Sequence, residues 1–231
     1  GLMAYCTTDD KLYGFVTSAN AWKEIMFINP PPSCGNPHVV THNAGNVAPV
    51  TKTVTYQTVN NIAGEPALCW ITSNLGADNQ ASAVNDATEQ SAGWYWQFNK
   101  MQGFKHDGAT RTPNTTWIGI SENSNWQSSN DPCSLELGGS WRIPTSSEFS
   151  NIRNSNGWTD WTGPWGTALK LHAGGNLSFF DGSLNFRGTD GNFWSSVQVD
   201  LNNSWLMWIN NLNCAINAGG KASGLSLRCV Y

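Results

Sequence analysis

Charge is the scarcest property of this sequence. Only 12% of its 231 residues are Asp, Glu, Lys or Arg, about half the ordinary share. Twelve basic residues against sixteen acidic ones, with a formal charge of −4 and no basic cluster, exclude a protein that grips nucleic acid through its phosphates. Long apolar runs are also missing. Nothing approaches the roughly 20 residues of a transmembrane helix, so no membrane span is expected. No basic stretch followed by an apolar one opens the chain, so any signal peptide is expected to be already gone. There is no G-x-S-x-G, P-loop or G-x-G-x-x-G, which leaves acyl transfer, phosphoryl transfer and dinucleotide chemistry without an anchor. No CxxC pair occurs, which removes zinc ribbons and thioredoxin-like chemistry.

What the chain has instead is Trp, Gly and Asn. Thirteen Trp, 23 Gly and 27 Asn describe a folded, turn-rich protein whose surface is built from amides and hydroxyls, and the aromatic content excludes disorder. A chain of this length makes one large domain or two small ones. Six widely spaced cysteines, Cys6, Cys34, Cys69, Cys133, Cys214 and Cys229, fit disulfides formed in an oxidising compartment. Buried free thiols are the alternative, and the spacing does not choose a pairing.

Local patterns place the elements. Leu12–Val16 reads as a strand, and the prolines at 30–32 break regular structure. Alternation over Val50–Val59 predicts an exposed strand, and Ala67–Ile71 a short buried one. A helix start is expected at Asp86. The clearest helix follows Pro144: Thr145 and Glu148 form a capping box, with Ser146–Arg153 helical and Phe149 and Ile152 on its inner face. Asp-Gly at 181 and at 190 predicts hairpin turns, alternating with strands at Leu177–Phe180, Phe193–Val197, Ser204–Ile209 and Leu225–Val230.

The usual carriers of chemistry say little. His38 and His42 have i, i+4 spacing, but the Val-Val-Thr between them makes a metal-binding helix improbable, and a strand or loop is expected. Asp181 and Asp190 are read as turn residues, and Asp107, Asp160 and Glu136 carry no pattern. The sequons at Asn114, Asn176 and Asn202 are attributed to chance in an Asn-rich chain. No catalytic residue, metal ligand or cofactor is expected. The C-terminal segment does stand out, since six of the sixteen residues from 202 to 217 are Asn. Asn is a poor strand former, and amides beside aromatics are what binding loops use.

Four ordered motifs then carry a resemblance: Cys69-Trp-Ile-Thr-Ser-Asn-Leu-Gly76, Trp141-Arg-Ile-Pro-Thr-Ser-Ser-Glu-Phe149, Phe193-Trp-Ser-Ser196 and Gly224-Leu-Ser-Leu-Arg-Cys-Val230. The set resembles the variable proteins of diversity-generating retroelements, from near Thr51 to the end of the chain. The resemblance implies an α+β C-type lectin fold of the formylglycine-generating-enzyme type, loop-rich, with few helices and many short antiparallel strands. Residues 51–231 would form the ligand-binding domain, with a variable region at about 192–230. Residues 1–50 would be an N-terminal extension or small β module.

In that family, mutagenesis at template adenines diversifies AAY codons, which read Asn when unmutated and never yield Trp, Met, Lys, Gln or Glu. The positions implied as ligand-binding are Asn192, Val199, Leu201, Asn202, Leu206, Asn210, Leu212, Ala215, Asn217, Ala218, Gly219, Gly220 and Ser223, all permitted outcomes. Trp208 falls in the same pattern but cannot come from AAY, so it is a contact of other origin or scaffold. Trp194, Ser195, Ser196, Trp205, Arg228 and Cys229 would be invariant framework, with Leu206, Trp208 and Leu212 as the surface anchors. The implied function is recognition of a protein or glycan ligand on another cell or virus by a protein that is secreted or displayed on a cell or virion. It is not an enzyme on this reading. The calcium motifs of sugar-binding animal lectins are missing. Two alternatives stand beside it: a formylglycine-generating-type oxidase, which would need a copper-binding cysteine pair, and a structural domain of an adhesin or pilus.

Overall fold

The computed structural model describes residues 3–6, 11–16, 21–24 and 34–231; the prolines at 30–32 lie outside the described residues. The chain divides into two compact units, Gly1–Pro31 and Pro32–Tyr231. The first contains an antiparallel meander of β1 (Met3–Cys6), β2 (Lys11–Val16) and β3 (Ala21–Glu24), with β2 on the strand expected at Leu12–Val16. The second begins well before the boundary expected at 50. The reason is a hairpin: β4 (His38–His42) pairs along its whole length with β5 (Lys52–Tyr56), so the stretch before 50 is half of a ladder whose other half lies after it.

The larger unit is α+β, with short helices and many short antiparallel strands. In order follow β6 (Thr58–Val59) and β7 (Trp70–Ile71), the helical turn α1 (Glu89–Ala92), then β8 (Tyr95–Trp96), β9 (Gly103–His106) and β10 (Arg111–Thr112). Next come the helices α2 (Pro132–Leu137), α3 (Ser146–Ser155) and α4 (Thr162–Gly166). The chain ends with the β11 (Asn176–Leu177) and β12 (Leu184–Asn185) hairpin and a sheet of β13 (Asp190–Gln198), β14 (Asn203–Asn210) and β15 (Cys214–Gly220).

Local chemistry explains these boundaries. The α3 capping box is present in both directions: the Thr145 hydroxyl accepts from the Glu148 N–H, and the Glu148 carboxylate accepts from the Thr145 N–H at 2.7 Å. Glu148 is also clamped by the Arg142 guanidinium. Phe149 and Ile152 are buried, as their spacing predicts. The helix expected at Asp86 starts later. Thr88 is the N-cap of α1, and Asp86 instead accepts from Ser82 and Thr88 to shape the loop before it. Those bonds hold the Asp86 carboxyl far below its ordinary range against the opposing effect of desolvation.

The turn expected at Asp181-Gly182 closes the β11–β12 hairpin, although the strand there is only Asn176–Leu177 rather than Leu177–Phe180. The turn expected at Asp190-Gly191 does not exist. Both residues lie in β13, and Gly191 is needed for close approach: a Cβ there would sit 2.5 Å from the His172 carbonyl oxygen and 2.8 Å from Ile209. The apolar run Leu225–Val230 forms no continuous strand either. It threads the core and makes single bridges to Trp96, Phe193, Trp70 and Arg142.

Two disulfides tie the larger unit, Cys34–Cys69 and Cys133–Cys229, while Cys214 is a buried free thiol. Burial pushes the Cys214 thiol up to about 11. Among the described residues, no helix is long and apolar enough to cross a membrane.

Candidate functional site

The β13–β14–β15 sheet has two unlike faces. Its register pairs Phe193 with Met207 and Met207 with Ile216, and these residues, with Ile209 and Cys214, pack with Phe149 and Ile152 of α3 in one apolar cluster. The alternate residues point the other way, because successive side chains of a strand alternate. On that face Asn192 lies opposite Trp208 and Trp208 opposite Ala215, while Trp194, Leu206 and Asn217 form the next row. Helix α3 therefore covers one face, and the other carries Asn192, Leu206, Trp208, Asn210, Ala215, Asn217 and Gly219.

A cavity of about 280 Å³ opens on that second face. Seven of the fourteen expected positions line it. Asn192, Leu206, Trp208 and Asn217 come from the sheet rows, and Ala218, Gly219 and Ser223 from the end of β15 and beyond. The other seven do not line it. Ala215 is half-buried beside Trp208. Asn210 closes the β14–β15 turn, its side-chain oxygen accepting from the Leu212 and Asn213 N–H groups, which leaves Leu212 77% exposed. Val199, Leu201 and Asn202 are exposed in the β13–β14 loop, where the Asp200 carboxylate accepts from Asn202 and Asn203. Gly220 lies against Phe179.

One expectation needs correction. Leu206, expected as a surface anchor, is only 6% exposed and belongs to the core cluster around Trp194. The physical reason is Gly219: a Cβ there would meet Leu206 Cδ2 at 2.4 Å, so the missing side chain is what lets Leu206 fold inward. Trp208 is half-buried, and its indole N–H donates to Asp190 Oδ2 at 2.9 Å. The residues expected as framework are mostly interior. Trp194, Ser195, Arg228 and Cys229 are buried, while Ser196 and Trp205 are half-buried.

Several lining residues escaped the sequence reading: Asn176 and Phe186 from the β11–β12 region, together with Asp190 and Leu225. Phe186 is the most unusual. It is 60% exposed and has φ of +59°, a conformation that is a real outlier for a bulky residue. Its carbonyl oxygen accepts from the Thr189 and Asp190 N–H groups, both at 2.9 Å, and from the Thr189 hydroxyl, which hold the turn in place. Strain of this kind persists only where surrounding bonds over-determine it, and it concentrates at functional sites. No local sequence signal marks it.

The chemistry expected to be silent is accounted for by packing. His38 and His42 lie on a strand. His42 is buried, its ring bonded to the Glu136 carboxylate and the Tyr56 hydroxyl. Asp107 and Asp160 accept from neighbouring turn N–H groups, which lowers both carboxyls below their ordinary value. Cys229 is bonded to Cys133, so Cys214 and Cys229 do not provide the thiol pair a copper oxidase would need. Among the described residues, no group of three or more His, Cys, Asp or Glu is placed to hold a metal ion. No protein-family model matches the chain, and no curated protein matches it.

Proposed function

We propose that this protein binds macromolecular ligands through the open face of the β13–β15 sheet, and that retroelement mutagenesis diversifies this face. The scaffold on this reading is a C-type lectin fold of the formylglycine-generating-enzyme type, secreted or displayed on a cell or virion. The observation that carries it is a convergence. Six positions picked from the sequence for their Asn-like codon pattern, with Trp208 beside them, line one cavity. Turn residues scattered by chance would have no reason to meet there. The two disulfides support an oxidising compartment. A rigid scaffold that presents variable side chains is how loops and sheet faces carry recognition without loss of fold.

The test is genomic. The DNA around the coding sequence is expected to hold a reverse transcriptase gene. It should also hold a near-copy of the segment encoding about 192–223, differing only where that copy carries adenine. Sister sequences that vary evenly along the chain, with no such copy at the locus, would overturn the proposal.

A further inference from the structure

Charge on the binding face is sorted by depth. Between Asn176 and Tyr231 the chain has three basic residues, Arg187, Lys221 and Arg228, and three acidic ones, Asp181, Asp190 and Asp200. All three cations are turned to interior oxygens. Arg187 donates to the Tyr95 hydroxyl and the His106 carbonyl. Lys221 is buried and donates to the Glu122 carbonyl and Gln198. Arg228 is buried and donates to the Leu169 and Thr72 carbonyls and to Asn74. The carboxylates lie outward instead. Asp181 and Asp200 are exposed in the turns, and Asp190 is at the cavity.

Among the described residues, Asp190 is the only ionisable group lining the cavity. Its Oδ2 accepts the Trp208 indole N–H, and among the described residues it has no ion-pair partner. Trp208 and Phe186 add two aromatic rings to the same lining. A carboxylate beside aromatic rings is the chemistry that holds an organic cation: the ring quadrupoles attract it and the carboxylate neutralises it. A volume of about 280 Å³ admits one long side chain and not a folded segment.

We propose that this cavity takes a positively charged nitrogen group, the ammonium or guanidinium end of a basic side chain on a protein ligand. The proposal rests on the reading of this face as the binding surface and names what the surface selects. Asp190, Phe186 and Trp208 lie outside the AAY-derived set, so they supply a constant element beside varied neighbours. Asp181 and Asp200, exposed in nearby turns, add negative potential for basic residues flanking the inserted one.

The test is titration of the full chain carrying ¹⁵N-labelled Trp, with the Trp208 indole N–H signal assigned by its loss in Trp208→Phe. n-Butylammonium and n-butylguanidinium are expected to shift that signal, and added salt to weaken the effect. The neutral alcohol n-pentanol and methyl glucoside are expected to leave it unmoved at equal concentration. Asp190→Asn, whose side-chain oxygen still accepts the indole N–H, is expected to weaken cation binding roughly tenfold or more with the melting temperature unchanged. A tetralysine peptide is expected to bind more tightly than n-butylammonium. Equal response to pentanol, response to the glycoside alone, unchanged affinity in Asp190→Asn, or no response to any probe would overturn the cation assignment. A peptide no tighter than n-butylammonium would overturn the protein source. None of these results touches the template test at the DNA level, so the two readings fail separately.

Discussion

Leu206 and Leu212 offer a matched pair for separating scaffold from contact surface. Both are among the positions that the family resemblance implies as ligand-binding, yet one is 6% exposed and the other 77%. Truncating Leu206 to Ala removes buried methyl and methylene groups packed by Trp194 and Gly219. Buried Leu→Ala changes cost about 2–5 kcal/mol, the larger values coming from sites that leave a rigid empty space. Here the space left would join the existing cavity, which is open to solvent, so the lower part of that range applies, about 2–3 kcal/mol. For a domain of this size each kcal/mol shifts the melting temperature by roughly 2–4 °C, which predicts a drop of roughly 4–12 °C for Leu206→Ala. Leu212→Ala removes exposed surface only and is expected within about 0.5 kcal/mol of the parent. Differential scanning calorimetry of the two variants, in one buffer and with disulfides intact, reads both values. Equal shifts, or a loss below about 2 °C for Leu206→Ala, would refute the assignment of Leu206 to the cavity floor.

Acid sensitivity is expected to come partly from His172, which is buried with neither ring nitrogen bonded to a protein partner. Burial, aided by the charge of Arg228 and opposed by Asp86, lowers its pKa to about 3 from 6.5. The unfolded chain takes up a proton below 6.5 that the folded one refuses until about 3, so stability is full above 6.5 and falls as pH drops toward 3, by up to about 5 kcal/mol. His172→Phe should flatten that part of a urea-midpoint profile against pH, and an unchanged slope would count against the buried neutral ring. Phe186→Asn is expected to hold or raise the melting temperature, since Asn tolerates the left-handed conformation that costs a bulky residue about 1 kcal/mol; a clear fall would mean that the Phe186 ring is structural packing.

Legibility in the sequence followed the range of the forces involved. The start of α3 could be read because the Thr145 and Glu148 bonds that set it lie within four residues, whereas its end runs two residues past the expected Arg153. β14 shows no single buried face: Ser204 and Leu206 are buried on one side and Met207 and Ile209 on the other, so only its apolar content marked it as a strand. Asp190-Gly191 misleads because the same dipeptide serves a tight turn or a close approach, and only the position of the His172 carbonyl decides. Leu225–Val230 misleads because a continuous apolar run looks the same in a strand as in a core segment bridging four distant partners. Seven of the positions that the family resemblance implies line the cavity, while Phe186 and Asn176 reach it only through tertiary folding of the β11–β12 hairpin.

That same folding limits how freely the face can vary. Gly219 and Leu206 are coupled, because any side chain at 219 must displace Leu206 Cδ2 from a 2.4 Å approach. Gly220 and Phe179 are coupled in the same way, with 2.5 Å between a Cβ at 220 and the Phe179 ring. In both cases the obstructing atom is the far end of a side chain, which can swing aside, and not backbone. A larger residue at 219 would therefore push Leu206 out of the floor or shallow the cavity, changing shape at a modest cost in stability. The rows beneath have no such slack. Gly191 faces the His172 backbone, and Phe193, Met207 and Ile209 are fully buried with α3. Tolerance thus differs within one sheet: side-chain ends that yield line the cavity, while the α3 side, and Trp194 on the cavity side, are held by core packing.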